Sequence, residues 1–363
     1  MRKSLKLVFL SIILHLFLID GTCAEARLQR LPETYIKKWI DFYPSDAFTN
    51  GHSAAAWQFE NFSRERVASW MEYNQQVFKQ LNNSNAVLSV EQEIDVRVLL
   101  RQAAIELERW QHDKVLANQA IYYAELISQA LTYVIVRDQF TGEEKLEILI
   151  TRLRGVQALA ELGLVSLRNG SPQRTRRAVK ILEQTIGFYN NYLPGLASAW
   201  TKKSGDIELY IDETTAAIKA LAKHINEQVL PGAFIPDKFD NSDYARKLKI
   251  HVGGDLSPAQ LKHSALGDIN EVRKMMSKMA TSWWEEQYPQ NPIPADENDL
   301  LQIAIEAMEN ARQDNRKDFL NFFIKLTDEA ENFVIEHELA TVPLPRTLKI
   351  DLSPDHFSGA AYG

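Results

Sequence analysis

The sequence predicts an all-α protein, a multi-helix bundle. Apolar residues recur at gaps of three and four over long stretches, and Ser or Thr stands at capping positions before several of these stretches. Alternation of apolar and polar residues, which is typical of strands, is almost absent. Helix packing is therefore expected to supply the core, with at most one or two short strands near the carboxyl terminus.

Two helices of the predicted bundle have complete start signals. Ser89 with Gln92, and Thr141 with Glu144, have the spacing of capping boxes. The apolar positions after each box share one helix face. After the first box they are Val96, Leu100, Ala103, Leu107 and Trp110, and after the second they are Leu146, Leu149, Leu153, Val156 and Ala160. Each face is expected to pack against the core.

Two later helices and one strand complete the predicted elements. Ser171-Pro172 and Ser257-Pro258 each indicate a capping residue followed by proline at the first helical position, where its fixed φ is favourable. Between Thr347 and Leu352 apolar and polar residues alternate, which predicts one short strand.

The amino terminus has the pattern of a signal peptide. Basic residues precede an apolar run over residues 7–19, and Ala24-Glu25-Ala26 forms an A-x-A cleavage site. We therefore expect residues 1–26 to be removed, leaving a secreted or periplasmic chain. A retained anchor is the alternative, although the run is shorter than the roughly 20 residues that cross a bilayer.

Composition narrows the classes of function. Cys23 is the single cysteine, so a cleaved chain would be stable without disulfides. A lipid anchor at Cys23 is disfavoured, because Thr22 fits the small-residue lipoprotein pattern poorly. The net charge is −7, and no block of basic residues interrupts it, which argues against a nucleic-acid partner. No second apolar run reaches membrane-spanning length, so no membrane span is expected in the mature chain.

Proline placement predicts the domain organisation. Four of the thirteen prolines precede residue 231, and the other nine lie from Pro231 onward. Because Pro-Gly and Pro-Asp steps interrupt helices, we expect a joint at residues 231–241. A large helical bundle over residues 27–230 would precede it. A smaller helical unit over residues 242–340 would follow, ending in an extended tail at residues 341–363.

The search for catalytic motifs is negative. His337-Glu338 is followed by Leu339-Ala340-Thr341, so the second histidine of an H-E-x-x-H zinc motif is missing. No G-x-S-x-G elbow and no phosphate-binding loop occur. His337 continues an apolar stripe that starts at Phe319, so we expect it to face the core as a neutral, hydrogen-bonded histidine.

Two carboxylate–histidine pairs lie at helical spacing, Glu108 with His112 and His224 with Glu227. Each could orient a base or supply two metal ligands. A surface pair worth a few tenths of a kcal/mol is the simpler interpretation of both.

Two further groups have simple structural interpretations. Glu143 and Glu147 fit an exposed face near a helix start, where negative charge is favourable. Trp283 and Trp284, with Tyr288 nearby, could line a ligand groove, but adjacent helical residues diverge. No catalytic, cofactor-binding or metal-binding residue is therefore assigned.

Several short segments resemble the bacterial family catalogued as domain of unknown function 885. The resemblance extends loosely from about Leu31 to Tyr362, and its landmarks are short and structural. They are Tyr43 through His52 (YPSDAFTNGH), Phe62-Ser63, Arg152-Leu153, Tyr244 through Gly253, and Asp255 through Pro258.

The resemblance implies an exported, helical scaffold related to zinc metallopeptidases of the thimet-oligopeptidase and angiotensin-converting-enzyme type. Family members carry a zinc motif of the form H-E-x-x-P-G-H after these landmarks. No residue here matches it, so none is carried over, and zinc is expected only in the complete family enzyme. The resemblance implies a peptidase-like scaffold without its reacting centre.

Two classes of function follow. The chain is either the amino-terminal part of a zinc metallopeptidase-like protein, inactive alone and completed by a carboxyl-terminal catalytic chain, or a non-catalytic secreted module that binds peptides or an envelope partner. An enzyme that uses the Glu–His pairs is a third hypothesis. An interrupted scaffold should leave an apolar face uncovered near residues 300–363, whereas a self-sufficient module should cover it.

Overall fold

The computed structural model describes residues 30–83, 88–202, 207–236, 238–254, 256–310 and 316–342, together with residues 348, 350 and 352. Every regular element among these residues is helical, and none is a strand, so the predicted all-α class is confirmed. The predicted signal peptide, Cys23 and most of the predicted tail lie outside the described residues. So does most of the expected strand, and its three described residues (348, 350 and 352) are not in a strand.

The described residues divide into two compact units. The amino-terminal unit extends to Gly254, and the carboxyl-terminal unit lies within Asp255–Asp355. The predicted joint at residues 231–241 is inside the amino-terminal unit. The predicted division remains a prediction, because compactness in one conformation does not measure independent folding.

Within its described residues the amino-terminal unit has twelve helices, with short 3₁₀ or π turns at Ser53–Trp57, Glu108–His112, Ile225–Val229, Leu230–Gly232 and Lys249–Gly253. The helices are α1 (residues 30–42), α2 (Pro44–Thr49), α3 (Arg64–Asn82), α4 (Val90–Leu107), α5 (Val115–Asn118), α6 (Ala120–Gln129), α7 (Thr132–Val136), α8 (Gly142–Ser166), α9 (Pro172–Asn191), α10 (Leu193–Trp200), α11 (Ile207–His224) and α12 (Asn241–Leu248).

The helix starts follow the predicted chemistry. Ser89 and Thr141 each accept a hydrogen bond from the backbone three residues on, and Gln92 and Glu144 return one, so both capping boxes are confirmed. Ser171 caps α9, with proline at its first position. These bonds satisfy backbone N–H groups that have no partner within the helix.

Helix α8 is at the centre of the amino-terminal unit, packed against α11, α6 and α10, while α9 packs against α6 and α11. All five apolar positions predicted for its core face are buried. Burying each large apolar side chain contributes about 1.5–3 kcal/mol, so this face is a main source of stability. Helices α3 and α4 pair beside this group.

In the part of the carboxyl-terminal unit that the structure describes there are three helices, α13 (Pro258–Gln287), α14 (Glu297–Asn310) and α15 (Arg316–Glu336). Ser257 starts α13 with a complete capping box. Helices α13 and α14 pack together around Ala280, Leu300 and Leu301. Most of the remaining apolar side chains of this unit are exposed, so its core is small.

Candidate functional site

A buried carboxylate, Glu106 on α4, is surrounded by aromatic donors. Its Oε2 atom accepts hydrogen bonds from the Tyr43 hydroxyl at 2.5 Å, from Trp70 Nε1 at 2.8 Å and from Trp110 Nε1 at 3.1 Å. Its Oε1 atom accepts one from Gln102 at 3.1 Å. Glu106 lies three residues after Ala103 and four before Trp110, so it shares a helix face with both, and this face directs its carboxylate towards the aromatic donors.

Both oxygen atoms of Glu106 are engaged in hydrogen bonds. Burial, followed by the nearby Glu106 charge, raises the pKa of Tyr43 well above its ordinary value. The Tyr43 hydroxyl therefore stays protonated and donates to Glu106. A carboxylate that is 1% exposed and accepts four hydrogen bonds from its own chain is poorly suited to proton transfer with a ligand. This cluster joins α3, α4 and the start of α2, and its role is structural.

A second buried polar group connects α8 to the amino-terminal segment. The Arg152 guanidinium donates to the carbonyl oxygens of Ala56 at 2.9 Å and Ala130 at 2.8 Å. It also donates to the Ser45 hydroxyl at 3.3 Å. Ser45 in turn donates from its hydroxyl and backbone to Glu60. Burial lowers the pKa of Arg152 to about 10, so it remains charged at neutral pH.

One group of three potential metal ligands occurs among the described residues, Glu108, His112 and Asp113. The structure corrects the prediction that Glu108 pairs with His112 at the surface. Glu108 is buried, and it binds Arg246 and Lys247 of α12 instead, with the Lys247 Nζ atom 3.0 Å from its Oε1. The same ammonium group is 2.7 Å from Asp113 Oδ1.

The chain's own cations occupy this acidic group. Burial raises the pKa of Glu108, but hydrogen bonds from Arg246 and Lys247 outweigh it and hold the pKa below the ordinary value. Burial, followed by the positive charge of Lys247, lowers the pKa of His251, which follows in the same segment. A metal ion would have to displace an ammonium group that is already paired, so these donors do not fit a resident metal. They hold α12 against the end of α4.

The prediction for His337 is wrong. It is exposed, one residue beyond the end of α15, and its ring contacts Phe333 at a centroid distance of 4.3 Å. The apolar stripe that was expected to face the core is itself exposed at Phe319, Phe322, Leu326 and Phe333. Burial needs a packed neighbour, and neither α13 nor α14 packs extensively against α15.

The remaining candidates occupy separate places. The His224 Nε2 atom lies 3.3 Å from the Leu167 carbonyl oxygen, whereas Glu227 is exposed, so they form no pair. Glu143 and Glu147 are both exposed near the start of α8, as expected for solvated acidic residues.

Two tryptophans in the last turns of α13 cluster with Tyr288, which directly follows the helix. Trp283 and Trp284 are both half-buried, and Trp284 lies 4.6 Å from Tyr288 between ring centroids. Trp284 also packs against the small core of the carboxyl-terminal unit. This aromatic cluster therefore supports the packing of α13 on α14, and the groove that it could line stays a hypothesis.

Sequence reasoning missed the residues that the fold gathers around these clusters. Glu106 lies on the predicted apolar face of α4, and a charged residue on such a face is a usable signal of a buried polar group. Arg246 and Lys247 gave no such signal, since 138 and 139 positions separate them from Glu108. Only the three-dimensional fold brings these charges together.

The family-like segment from Tyr43 to His52 also has a structural explanation. Tyr43 binds Glu106, Ser45 binds Glu60 and Arg152, and the Phe48 carbonyl accepts a 2.6 Å hydrogen bond from Arg137.

A model of the family described as bacterial protein of unknown function (DUF885) matches residues 44–360. The chain belongs to the DUF885 family.

A solved structure shows the same fold. It is a protein from Shewanella oneidensis described as "a putative lipoprotein of unknown function", with a TM-score of 0.64 and 16% sequence identity. The match covers 90% of this DUF885 chain and 61% of the Shewanella protein, so this chain spans less than two thirds of that protein's length. Among curated proteins, none matches the sequence significantly.

None of the helices in the described part of the chain combines the length and the apolar character needed to cross a bilayer.

Proposed function

We propose that this chain is the scaffold part of an exported, peptidase-like DUF885 protein, and that further polypeptide of the same family fold covers its carboxyl-terminal unit and supplies the reacting centre. The observation that carries this proposal is the uncovered aromatic stripe of α15. Phe319, Phe322 and Phe333 are 45%, 48% and 54% exposed, although they lie on one helix face. Contiguous exposed apolar surface of this kind marks an interaction site.

The size of the core in the carboxyl-terminal unit supports the same proposal. Among the described residues its hydrophobic cluster contains three buried residues, whereas the main cluster of the amino-terminal unit is much larger. A helix gains most of its stability from packing an apolar face against neighbours. Helices α13 to α15 therefore need a partner surface to be stable.

The alignment with the Shewanella protein indicates what kind of partner fits. That protein has the same fold over 90% of this chain, and the match covers 61% of its own length, which leaves a remainder without a counterpart here. We infer that polypeptide equivalent to that remainder covers α15. Peptide hydrolysis and zinc binding would belong to this remainder, as the resemblance to helical metallopeptidases implies. No residue of this chain forms a metal site in the proposal.

The test is to produce the chain alone and together with the polypeptide encoded after it. Hydrogen exchange at α15 and binding of an apolar dye are measured in both samples. We expect fast exchange and strong dye binding for the chain alone, and we expect both to fall in the complex. A Phe322→Asp variant should lose complex formation, and the matched exposed-site variant Val165→Asp in α8 should keep it.

The contrary results are equally clear. Slow exchange at α15 and no dye binding in the chain alone would favour the self-sufficient module that binds peptides or an envelope partner. Zinc bound at one equivalent, with peptide cleavage that a chelator abolishes, would overturn the proposed lack of activity. Metal analysis and a peptide-cleavage assay on the purified chain decide this second point.

The proposed export has its own test. Cleavage after Ala26 would give a mature chain that begins at Arg27, whereas a lipid anchor would leave a diacylated Cys23 at the amino terminus. Intact mass spectrometry of the protein from the expressing cell distinguishes these forms. We expect the unmodified chain, and the mass of the full uncleaved sequence would refute export by this signal.

A further inference from the structure

A small cavity lies in the amino-terminal unit where α6 and α9 begin. Its volume is about 190 Å³, and Ile235, Pro236, Phe239 and Lys247 of α12 close its other side. Pockets for drug-sized ligands measure about 300–1,000 Å³. The cavity therefore fits a smaller molecule, and it is separate from every cluster described above except for Lys247 and Asp113 at one edge.

Hydrogen bonds hold the cavity walls in place. The Ile235 N–H group donates to the Gly170 carbonyl at 3.1 Å, and the Phe234 N–H group donates to the Asn169 side chain at 3.3 Å. On the opposite side, Lys247 is fixed by Asp113. A ligand that enters such a preformed cavity pays little ordering cost.

Gly170 has a particular role in this arrangement. A Cβ atom at this position would lie 2.4 Å from the buried Thr175 hydroxyl oxygen, closer than any real contact. The absence of a side chain therefore lets the loop before α9 approach the helix and form the cavity edge.

The charges that line the cavity leave one cation without a partner. Lys247 and Asp113 neutralise each other, whereas Arg174 forms no ion pair within the described part of the chain. Arg174 lies at the cavity rim on the first turn of α9. The first turn of α6 adds backbone donors, since Gln119 provides no side-chain cap to them.

The rest of the lining is mixed, with polar residues at Asn118, Gln119, Ser171 and Thr175 and an apolar wall beside them. Ile121, Ile235, Pro236 and Phe239 face the same space. An inorganic anion would gain little from these side chains, whereas an apolar group attached to the anion would be removed from water against them. The cavity thus combines one cationic end with an apolar wall.

We propose that this cavity binds a small organic carboxylate with an apolar body, the size of one amino acid. The carboxylate pairs with Arg174, and the apolar body lies against Ile235 and Phe239. A free amino-acid derivative and the last residue of a peptide share this chemistry. The proposal does not depend on α15 or on any added polypeptide. It can therefore fail while the proposed function holds, and it can hold while the proposed function fails.

Calorimetric titration of the purified chain tests it with 3-phenylpropionate and with its uncharged analogue 3-phenylpropanamide. We expect saturable binding of the acid and at least about tenfold weaker binding of the amide, because a hydrogen bond to a charged group is worth about 1.5–3 kcal/mol. The Arg174→Gln variant should weaken binding of the acid by a similar factor. The matched variant Arg176→Gln, at an exposed arginine of the same helix, should not change it.

Further probes separate the sources and the alternatives. N-acetyl-leucine and a tripeptide that ends in leucine distinguish a free derivative from a peptide end, since the more tightly bound probe identifies the source. Ile235→Ala should weaken all carboxylate probes while the melting temperature confirms folding. Equal binding of acid and amide, equal binding of inorganic phosphate, or no saturable binding of any probe would overturn the proposal.

Discussion

The Tyr43 hydroxyl donates a 2.5 Å hydrogen bond to Oε2 of Glu106, across 63 positions of the chain. This bond joins the start of α2 to the end of α4. Trp70 and Trp110 donate to the same oxygen, so the carboxylate serves as a common acceptor for three buried rings. Removing its acceptor capacity should therefore loosen several elements at once.

Glu106→Gln is expected to destabilise the protein by about 2–3 kcal/mol. The glutamine side chain has an NH₂ group in place of one carboxylate oxygen. Because both oxygens of Glu106 accept hydrogen bonds, this NH₂ group would face another donor in either orientation of the amide. Urea denaturation followed by circular dichroism measures the change. Glu161→Gln in α8, an exposed acceptor for Gln157, is the matched control and should change stability little. Equal stability of both variants would contradict the structural role of the cluster.

Arg152→Lys is expected to cost about 2–5 kcal/mol, because a lysine cannot reach several carbonyl oxygens in the fork geometry of arginine. Arg152 is 1% exposed, and it donates to Ala55, Ala56 and Ala130. The exposed Arg154, two positions later on α8, supplies the control Arg154→Lys. Thermal unfolding of the two variants should separate them clearly, and a similar melting temperature would refute the buried hydrogen-bond network.

The contribution of Glu108 to stability should depend on pH. Its folded pKa lies below the ordinary 4.5, so its ion pairs stabilise the protein above that value, and this contribution is lost as the pH falls through the folded pKa. Glu108→Gln should cost about 1.5–3 kcal/mol at pH 7, with the difference from the native protein shrinking below pH 4.5.

Urea titrations at several pH values from 3 to 7 measure this dependence. Glu93→Gln removes an exposed ion pair with Arg97 and should cost less than about 1 kcal/mol. A Glu108 difference that stays constant across the series would show that its carboxylate charge is not the stabilising feature.

Substitution by alanine at two glycines within helices should change the stability of the protein in opposite directions. Gly187 in α9 has open space around its missing Cβ, so Gly187→Ala should stabilise the protein by about 0.5–1 kcal/mol through helix propensity. A Cβ at Gly155 in α8 would lie 2.5 Å from the Cβ of Phe59, so Gly155→Ala should destabilise it by about 1–3 kcal/mol. Melting temperatures of the pair test this, and a shift in the same direction for both would contradict the packing at Phe59.

Local signals in the sequence were sufficient for the helix starts. The Ser89, Thr141, Ser171 and Ser257 caps are all formed as expected, because a cap depends on residues three positions apart. The core face of α8 was also predicted, since its period is a property of one helix. These predictions required no knowledge of distant residues.

The contacts that could not be predicted from the sequence are those between residues that lie far apart in the chain. Glu108 looked like half of a surface pair with His112, but α12 places two cations on it from more than 130 positions away. The stripe of α15 looked like a core face, because periodicity shows that a face is apolar and not whether anything covers it. The candidate cavity likewise needs four separate segments to meet, and no local pattern marks such a meeting.

The bond between Arg152 and Ser45 spans 107 positions, and it has a consequence for synthesis. At bacterial translation rates, roughly 5–20 s pass between the emergence of these two residues from the ribosome. During that interval the newborn segment around Ser45 has no guanidinium to bind, and the peptide oxygens of Ala55 and Ala56 remain hydrated. The contacts of this segment with Arg152 must therefore form after the appearance of α8, whereas its bond from Tyr43 to Glu106 can form earlier.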